Sequence, residues 1–307
     1  MKIVASGMSG LIGRRLGLEL AKKHELVRLI RRKKSAGSGG VAEGREVLWS
    51  PGEFGDWTKE IDGADAVINL CGEPIAEKRW TAQRKALLKN SRIQATQGLT
   101  RAIGMAAAKP KVFLNASAIG YYGSGDNFLI DENARPGVGF LADLCLEWER
   151  EARNAEAYKI RVVLLRTGIV LSKESGALKK MLPPFRWFLG GPLGNGKQFM
   201  SWIHIDDEVN AILAALDDPM IRGPVNLTAP NPVTMDEFAN ALGRAVRRPA
   251  LLRVPAFVLK TLLGEMADML LTGQKAYPQK LKRSGFEFLF PTLEEALKDL
   301  FWIQKRS

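Results

Sequence analysis

Through the first 170 residues, short apolar runs alternate with longer amphipathic stretches. Lys2–Ala5 is an apolar run that leads to a glycine. Leu11–Lys22 then repeats its apolar positions at helical spacing. Glu25–Ile30, Ala66–Leu70 and Lys111–Asn115 are further β-rich runs, and Arg161–Ile169 is the clearest. Helical patterns fill Thr81–Ala108 and Phe140–Ala157 between them. Strands and helices in alternation build a parallel sheet with helices on both faces. The pattern therefore predicts an α/β, doubly wound fold.

Beyond Val170 the rhythm changes. Residues 181–200 hold Pro183, Pro184, Phe185, Trp187 and Phe188, with glycines at 190, 191, 194 and 196. Proline and glycine argue against a regular helix there. The stretch suits a lid that excludes water or a packed connection between domains; both readings stand. Val225–Leu227 reads as one late strand. Thr234 with Glu237, and Thr292 with Glu295, fit the capping box that opens a helix. Pro255–Leu271 is apolar at helical spacing. Residues 1–170, with the late strand near 201–228, are expected to form the larger domain. Residues 171–200 and 229–307 are expected to form a smaller one.

Composition narrows the class. The chain has 307 residues, 46% of them hydrophobic, which is ample for a large core. Charged residues make up 25%, as in a globular protein. The net charge of +12 and pI near 9.7 favour polyanions. The basic clusters are short: Arg31–Lys34, Arg244–Arg248 and Lys280–Arg283. No zinc-finger spacing, aromatic RNA-binding motif or long basic run accompanies them. Scattered solvated charge plus one phosphate pocket is the preferred reading, and no nucleic-acid partner is expected. Two cysteines, Cys71 and Cys145, and two histidines, His24 and His204, offer no metal-ligand spacing. Two unpaired cysteines fit a reducing compartment. No apolar run approaches the roughly 20 residues of a membrane span, so no membrane partner is expected. A strand expected from residue 2 leaves no room for a signal peptide. A cytoplasmic location is expected, or an organellar one with the transit peptide absent.

The first strand is followed at once by Gly7-Met8-Ser9-Gly10-Leu11-Ile12-Gly13, which opens the first helix. Glycine suits a turn with positive φ and a backbone that approaches pyrophosphate closely. The helix N-terminus then presents free N–H groups to phosphate. Strand, turn and helix in this order point to a bound dinucleotide. The second strand ends at Ile30. An acidic residue there would accept from the ribose hydroxyls of NAD. Here Arg31, Arg32, Lys33 and Lys34 follow instead, and guanidinium binds a 2′-phosphate bidentately. NADP is the expected cofactor, with Arg31 and Arg32 as its phosphate ligands.

With several downstream segments, these residues resemble the extended short-chain dehydrogenase/reductase superfamily. Within it the chain is similar to the atypical nucleoside-diphosphate-sugar epimerase-like family, almost end to end. Asn69-Leu70-Cys71-Gly72 resembles the segment beneath the adenosine. Ser91-Arg92 matches a helix position near the cofactor. Asn115-Ala116-Ser117 through Tyr121-Tyr122-Gly123 resembles the segment that carries the catalytic serine. Arg166-Thr167-Gly168 resembles the segment beside the nicotinamide, and Trp202 through Asp207 a later structural motif. Gly273-Gln274-Lys275, Pro278 through Leu281, and Gly285 through Phe288 resemble the family's own C-terminal module. The resemblance implies a Rossmann domain with a smaller C-terminal substrate domain. It implies cofactor contacts from Gly7, Ser9, Gly10, Leu11, Ile12, Gly13, Leu70, Cys71, Gly72, Arg92, Asn115, Ala116 and Arg166.

Catalysis is where the chain departs from that superfamily. Its chemistry uses a Tyr-x-x-x-Lys pair, in which lysine lowers the phenol pKa from about 10. None of the four tyrosines here has lysine four residues on. Phe140 and Leu144 stand at the equivalent positions, and neither transfers a proton. Ser117 can still bond a substrate carbonyl or hydroxyl. Tyr121 or Tyr122 could supply the missing phenol, as an acid more readily than a base; both could equally pack the loop. Asp131 and Glu132 read as a solvated loop, His204 as a positioned core histidine, and Cys71 as a small side chain on the cofactor path. Two functions follow as expectations. One is an NADP-dependent oxidoreductase or nucleotide-sugar epimerase-like enzyme with a small-molecule substrate, using Ser117, Tyr121 and Tyr122. The other is a non-catalytic NADP(H)-binding sensor or interaction protein.

Overall fold

The structure is a computed structural model that describes residues 1–31, 44–125 and 128–302. Its centre is a parallel sheet of seven strands. They are β1 (Lys2–Ser6), β2 (Glu25–Ile30), β3 (Arg45–Leu48), β4 (Ala66–Asn69) and β5 (Val112–Ala118), followed by Arg161–Thr167 and Gly223–Leu227. Across the sheet the order is 223–227, 161–167, β5, β4, β1, β2, β3. The chain thus builds outward from β1 in one direction, then returns to β1's other side at β4. That reversal opens a crevice at the carboxyl ends of β1 and β4, where open α/β sheets bind ligands.

Strand alternation explains why both faces are covered. Ile3, Ala5, Leu114, Val163 and Leu165 point to one face. There they meet Leu16 and Leu20 of helix α1 (Leu11–Ala21), and Ile212 and Leu216 of the later helix Ile205–Asp217. Val4, Phe113, Val162 and Leu164 point to the other face. They meet Leu99 and Ile103 of α2 (Ala82–Met105) and Ala152 of α3 (Phe140–Arg153). A third core lies in the C-terminal part. It gathers Leu178, Leu182 and Phe185 of α4 (Gly176–Arg186) with Trp202, Phe238, Leu242 and Leu297.

Several sequence expectations shift. β3 has no apolar run: Arg45 and Glu46 are exposed at the sheet edge, where Arg28 pairs with Glu46 and Arg45 with Glu60. The run Arg161–Ile169 breaks at Gly168, whose added Cβ would stand 2.6 Å from Ser201 O. Ile169–Leu171 then leaves the main sheet and pairs with Trp202–His204. Residues 181–186 belong to α4 despite Pro183 and Pro184. Both prolines sit in its last turn, where they leave the carbonyls of Lys179 and Lys180 without their helical donors. Burial of Leu178, Leu182 and Phe185 holds the turn. Pro255–Leu271 is three short pieces, broken at Gly264 with φ +61: Ala256–Leu263, Gly264–Ala267 and Asp268–Leu271. Both capping boxes are formed. Thr234 Oγ1 accepts from Glu237 N while Glu237 accepts from Thr234 N, opening Met235–Val246. Thr292 and Glu295 do the same before Leu293–Trp302.

Candidate functional site

At the crevice the backbone does most of the work. Gly7 has φ +78, and an added Cβ would stand 2.5 Å from the carbonyl carbon and oxygen of Leu70. A Cβ on Gly13 would overlap Gly7 O. These two glycines close the loop against β4 and α1. Gly10 differs. It is the N-cap of α1, it is exposed, and the nearest atom to an added Cβ is Gly7 O at 3.4 Å. No side chain caps α1, and no acidic residue lies in its first turn. The first N–H groups of the helix, at Leu11, Ile12 and Gly13, are therefore open to an anion. Ser9 is exposed beside them. This loop and helix end fit the pyrophosphate of a dinucleotide.

The segment after β4 forms the opposite wall. Asn69 is fully buried, and its Oδ1 accepts from Ser6 Oγ (2.8 Å) and Cys71 N (3.1 Å). That bond turns the chain so that Leu70, Cys71 and Gly72 edge the crevice. Burial pushes the Cys71 thiol up, so it stays protonated near neutral pH. An added Cβ on Gly72 would stand 3.0 Å from the Arg92 guanidinium. Arg92 donates to Leu88 O (2.9 Å) and Glu73 O (3.0 Å). Burial lowers its pKa. Arg31 follows β2 directly, with its side chain 70% exposed and Nη1 3.9 Å from Glu73 Oε1. Arg32 lies outside the described residues.

The other half of the site is built from buried side chains. Asn115 Oδ1 accepts from Asn69 Nδ2 (2.7 Å) and Thr96 Oγ1 (3.2 Å), on the α2 side of the sheet. Ala116 is half-buried, with its side chain toward the opposite face. Ser117 shares the Asn115 face and donates to Glu149 Oε1 at 2.7 Å. Arg166 grips the same carboxylate with two bonds, Nε to Oε1 (2.7 Å) and Nη2 to Oε2 (2.8 Å). Arg166 Nη1 also donates to the Tyr122 hydroxyl (3.0 Å), which donates to Asn226 Oδ1 (2.6 Å). Ser117, Tyr122, Glu149, Arg166 and Asn226 are all buried.

This network has clear electrostatic consequences. Burial alone would lower the Arg166 pKa, but the Glu149 carboxylate outweighs it and the guanidinium is held charged. Burial pushes the Tyr122 phenol up to about 12. Ser117 has its proton directed at Glu149, so its remaining lone pairs are suited to accepting a hydrogen bond. Tyr121 is placed differently. It is half-buried, with Arg166 stacked over its ring at 3.5 Å. Its hydroxyl makes no hydrogen bond among the described residues. Phe140 opens α3 with its ring against Trp80 at 5.1 Å, and Leu144 is buried. Neither offers a proton-transfer group.

Glu149 and Asn226 were not singled out from the sequence. A signal for Glu149 existed: Ala142, Cys145, Glu149 and Ala152 share the buried face of α3. A carboxylate on such a face needs a cation, and Arg166 within an apolar strand needs an anion. Asn226 carried no comparable signal. Glu132 corrects the expectation of a solvated loop. It is 3% exposed, accepts from the backbone N–H of Asn226 (3.1 Å) and Lys280 (3.2 Å), and is pushed up by burial.

The acidic stretch at the start of the helix α5 (Ile205–Asp217) is also structural. Asp207 accepts from the N–H groups of Leu289 and Phe290 at 2.8 and 3.0 Å. Glu208 is fully buried, accepts from Thr167 Oγ1 (2.8 Å), and is pushed up by burial to about 8. His204 is buried as expected. Its Nδ1 accepts from Asp206 N at 3.1 Å, and its Nε2 faces Asp299 Oδ2 at 3.3 Å. Among the described residues His204, Asp206 and Asp299 could gather around a metal. However, a neutral ring whose Nδ1 accepts carries its proton on Nε2, and Asp206 Oδ1 is bonded to Arg15 Nε (2.9 Å). With Nδ1 engaged by Asp206 N and the proton on Nε2, the ring offers a metal no free lone pair.

A glycine-cradled helix end at the switch point of a seven-stranded sheet is what the comparisons with known proteins meet. Residues 3–226 match the NAD dependent epimerase/dehydratase family. The chain belongs to that family. Residues 254–300 match a second family, described as a domain of unknown function (DUF1731). An epimerase family protein of Mycobacterium leprae is 45% identical over 299 residues, covering 96% of this chain and 94% of the relative. A chloroplastic Arabidopsis thaliana homolog of epimerase family protein SDR39U1 is 41% identical, covering 97% and 86%. Human epimerase family protein SDR39U1, solved with NADPH, superposes with a TM-score of 0.85 at 32% identity, over 98% of this chain and 99% of that one. Among the described residues no helix is long and apolar enough to cross a membrane.

Proposed function

We propose that this family member binds NADP(H) across the crevice and acts on a small carbonyl or hydroxyl substrate, such as a nucleotide sugar. The observation that carries the reading is the uncapped N-terminus of α1, open above Gly10 at the switch point. Pyrophosphate would sit on the N–H groups of Leu11, Ile12 and Gly13 beside Ser9, between that turn and Leu70, Cys71 and Gly72. Arg31 and Arg32 would hold the 2′-phosphate, Arg92 the wall beyond Gly72. Asn115 and Arg166 would support the nicotinamide end through the backbone around them, since their side chains are engaged within the protein. The NADPH in the human relative supports the choice of cofactor. Residues 171–200 and 229–307 would form the substrate side. Cys71 and Cys145, both free, favour a reducing compartment such as the cytoplasm.

A bound nicotinamide would supply hydride exchange. Ser117 would orient the substrate hydroxyl as an acceptor, its own proton held by Glu149. Tyr121, unlike Tyr122, has a hydroxyl not held by another side chain and would act as the acid. Absorbance at the NADPH band, with a panel of sugar nucleotides and small carbonyls, tests turnover. Consumption lost in Ser117→Ala and Tyr121→Phe supports the enzyme. Phe140, Leu144 and the locked Tyr122 phenol favour a second reading, an NADP(H) sensor without turnover. Tight NADPH binding with no consumption of any substrate would establish that one. Arg31→Ala is expected to weaken NADPH about tenfold more than NADH; equal losses overturn the 2′-phosphate assignment.

A further inference from the structure

Two stretches of the C-terminal part contain no acidic residue at all. Residues 175–205 carry four Lys or Arg and no Asp or Glu; residues 238–264 carry five and none. The fold brings their tips together. Leu252 N donates to Gly190 O (3.1 Å), Val254 N donates to Pro192 O (2.9 Å), and Arg248 lies over the Phe188 ring at 4.6 Å. These tips and the helix start that follows them expose large apolar side chains: Trp187 is 75% exposed, Leu251 80% and Phe257 71%, and Phe188, Leu189 and Leu252 are exposed as well. Single exposed apolar residues are ordinary, but a gathered set with a rim of one charge marks an interaction surface.

The rim charge selects the partner. Arg253 is paired with Asp236 and Arg244 with Glu294. Arg186, Arg247, Arg248 and Lys260 make no ion pair among the described residues. A second copy docked on this face would oppose these cations with like charge. A nucleic acid would satisfy the cations but leave Leu251 and Phe257 against a polar surface. An anionic lipid surface satisfies both: apolar tips enter the headgroup boundary while arginines meet phosphate. Tryptophan at the rim fits the same interface, with an apolar ring and an N–H.

We propose that the face formed by Trp187–Leu189, Leu251, Leu252 and Phe257 docks this protein peripherally on an anionic bilayer surface. The inference does not rest on the assignment of the crevice. Co-sedimentation of the full chain with unilamellar vesicles tests it, comparing phosphatidylcholine alone with phosphatidylcholine plus about a third phosphatidylglycerol. Binding to the anionic vesicles is expected to fall with salt. It is expected to fall about tenfold or more in Arg247→Glu/Arg248→Glu and in Trp187→Asp/Leu251→Asp. An unchanged thermal melt should accompany the loss in Trp187→Asp/Leu251→Asp, and only a small downward shift the loss in Arg247→Glu/Arg248→Glu, whose guanidinium groups lie over Trp302 and Phe188. No binding to anionic vesicles overturns the proposal, as does binding that neither double variant weakens. Sedimentation velocity of Trp187→Asp/Leu251→Asp supplies the competing outcome: an oligomer that becomes a monomer would assign the face to self-association instead.

Discussion

The crevice at β1 and β4 and the cluster beneath β5 use opposite materials. At Gly7, Gly10 and Gly13 the recognition surface is backbone, with side chains kept out of the way. Under Ser117 the surface is side chain: a carboxylate, a guanidinium, a phenol and an amide bonded to one another inside the core. The first region leaves its donors open for a ligand. The second has spent its donors within the protein. The contrast teaches that a polar cluster at the carboxyl end of a sheet is not thereby a reactive one. Tyr122 and Arg166 hold β5, the 161–167 strand and Asn226 together, and what is left for chemistry is narrower: a lone pair on Ser117 and the Tyr121 phenol.

The largest effect expected follows from breaking the buried cluster. Arg166→Met would leave Glu149 buried without its cation, which costs about 3–5 kcal/mol. Urea denaturation reads it directly, and a loss under about 1 kcal/mol would show that the pair is not structural.

Glu208 gives a pH-dependent counterpart. Its carboxyl is pushed from 4.5 to about 8 in the folded protein. The folded state therefore holds a proton that the unfolded state has already released. The associated stability is full below pH ~4.5 and is lost as pH rises through about 8. Glu208→Gln is expected to flatten that decline, gaining on the order of 3 kcal/mol at pH 8 relative to pH 5. Thermal melts across this window that fall equally steeply for both proteins would refute the account.

The smallest effect on stability is expected at Gly10, and it is the most informative about the crevice. Gly10→Ala meets no atom within 3.4 Å and should change stability by less than about 1 kcal/mol. Because the new methyl group would keep pyrophosphate from approaching the backbone closely, NADPH affinity should fall about tenfold or more. Gly7→Ala, strained by φ +78, should lose stability as well, by about 1–3 kcal/mol. Equal NADPH affinity in Gly10→Ala and the parent would separate the loop from the ligand.

Much of this was legible in the residues. The alternation of strand and helix patterns, the loop Gly7 to Gly13 after β1, and both capping boxes are local features, and the structure has them where they were expected. Edge strand β3 was not legible, because only Val47 of its residues packs on the core, and Glu46 and Arg45 are held by ion pairs to Arg28 and Glu60. The helical turn through Pro183 and Pro184 runs against its local signal, because tertiary burial of Leu182 and Phe185 outweighs a local penalty. The burial of Glu132 is not legible locally, because its partners, Asn226 and Lys280, lie 94 and 148 positions away.

By itself, then, the sequence determined the fold class and the glycine turn, since periodicity and backbone freedom act over a few residues. It also showed that none of the four tyrosines is followed by lysine four residues on. Only the tertiary structure decided which polar groups remain available. Whether a hydroxyl such as Ser117 or Tyr122 is free depends on partners supplied by distant helices and strands, and at low dielectric those partners settle each group's charge and proton.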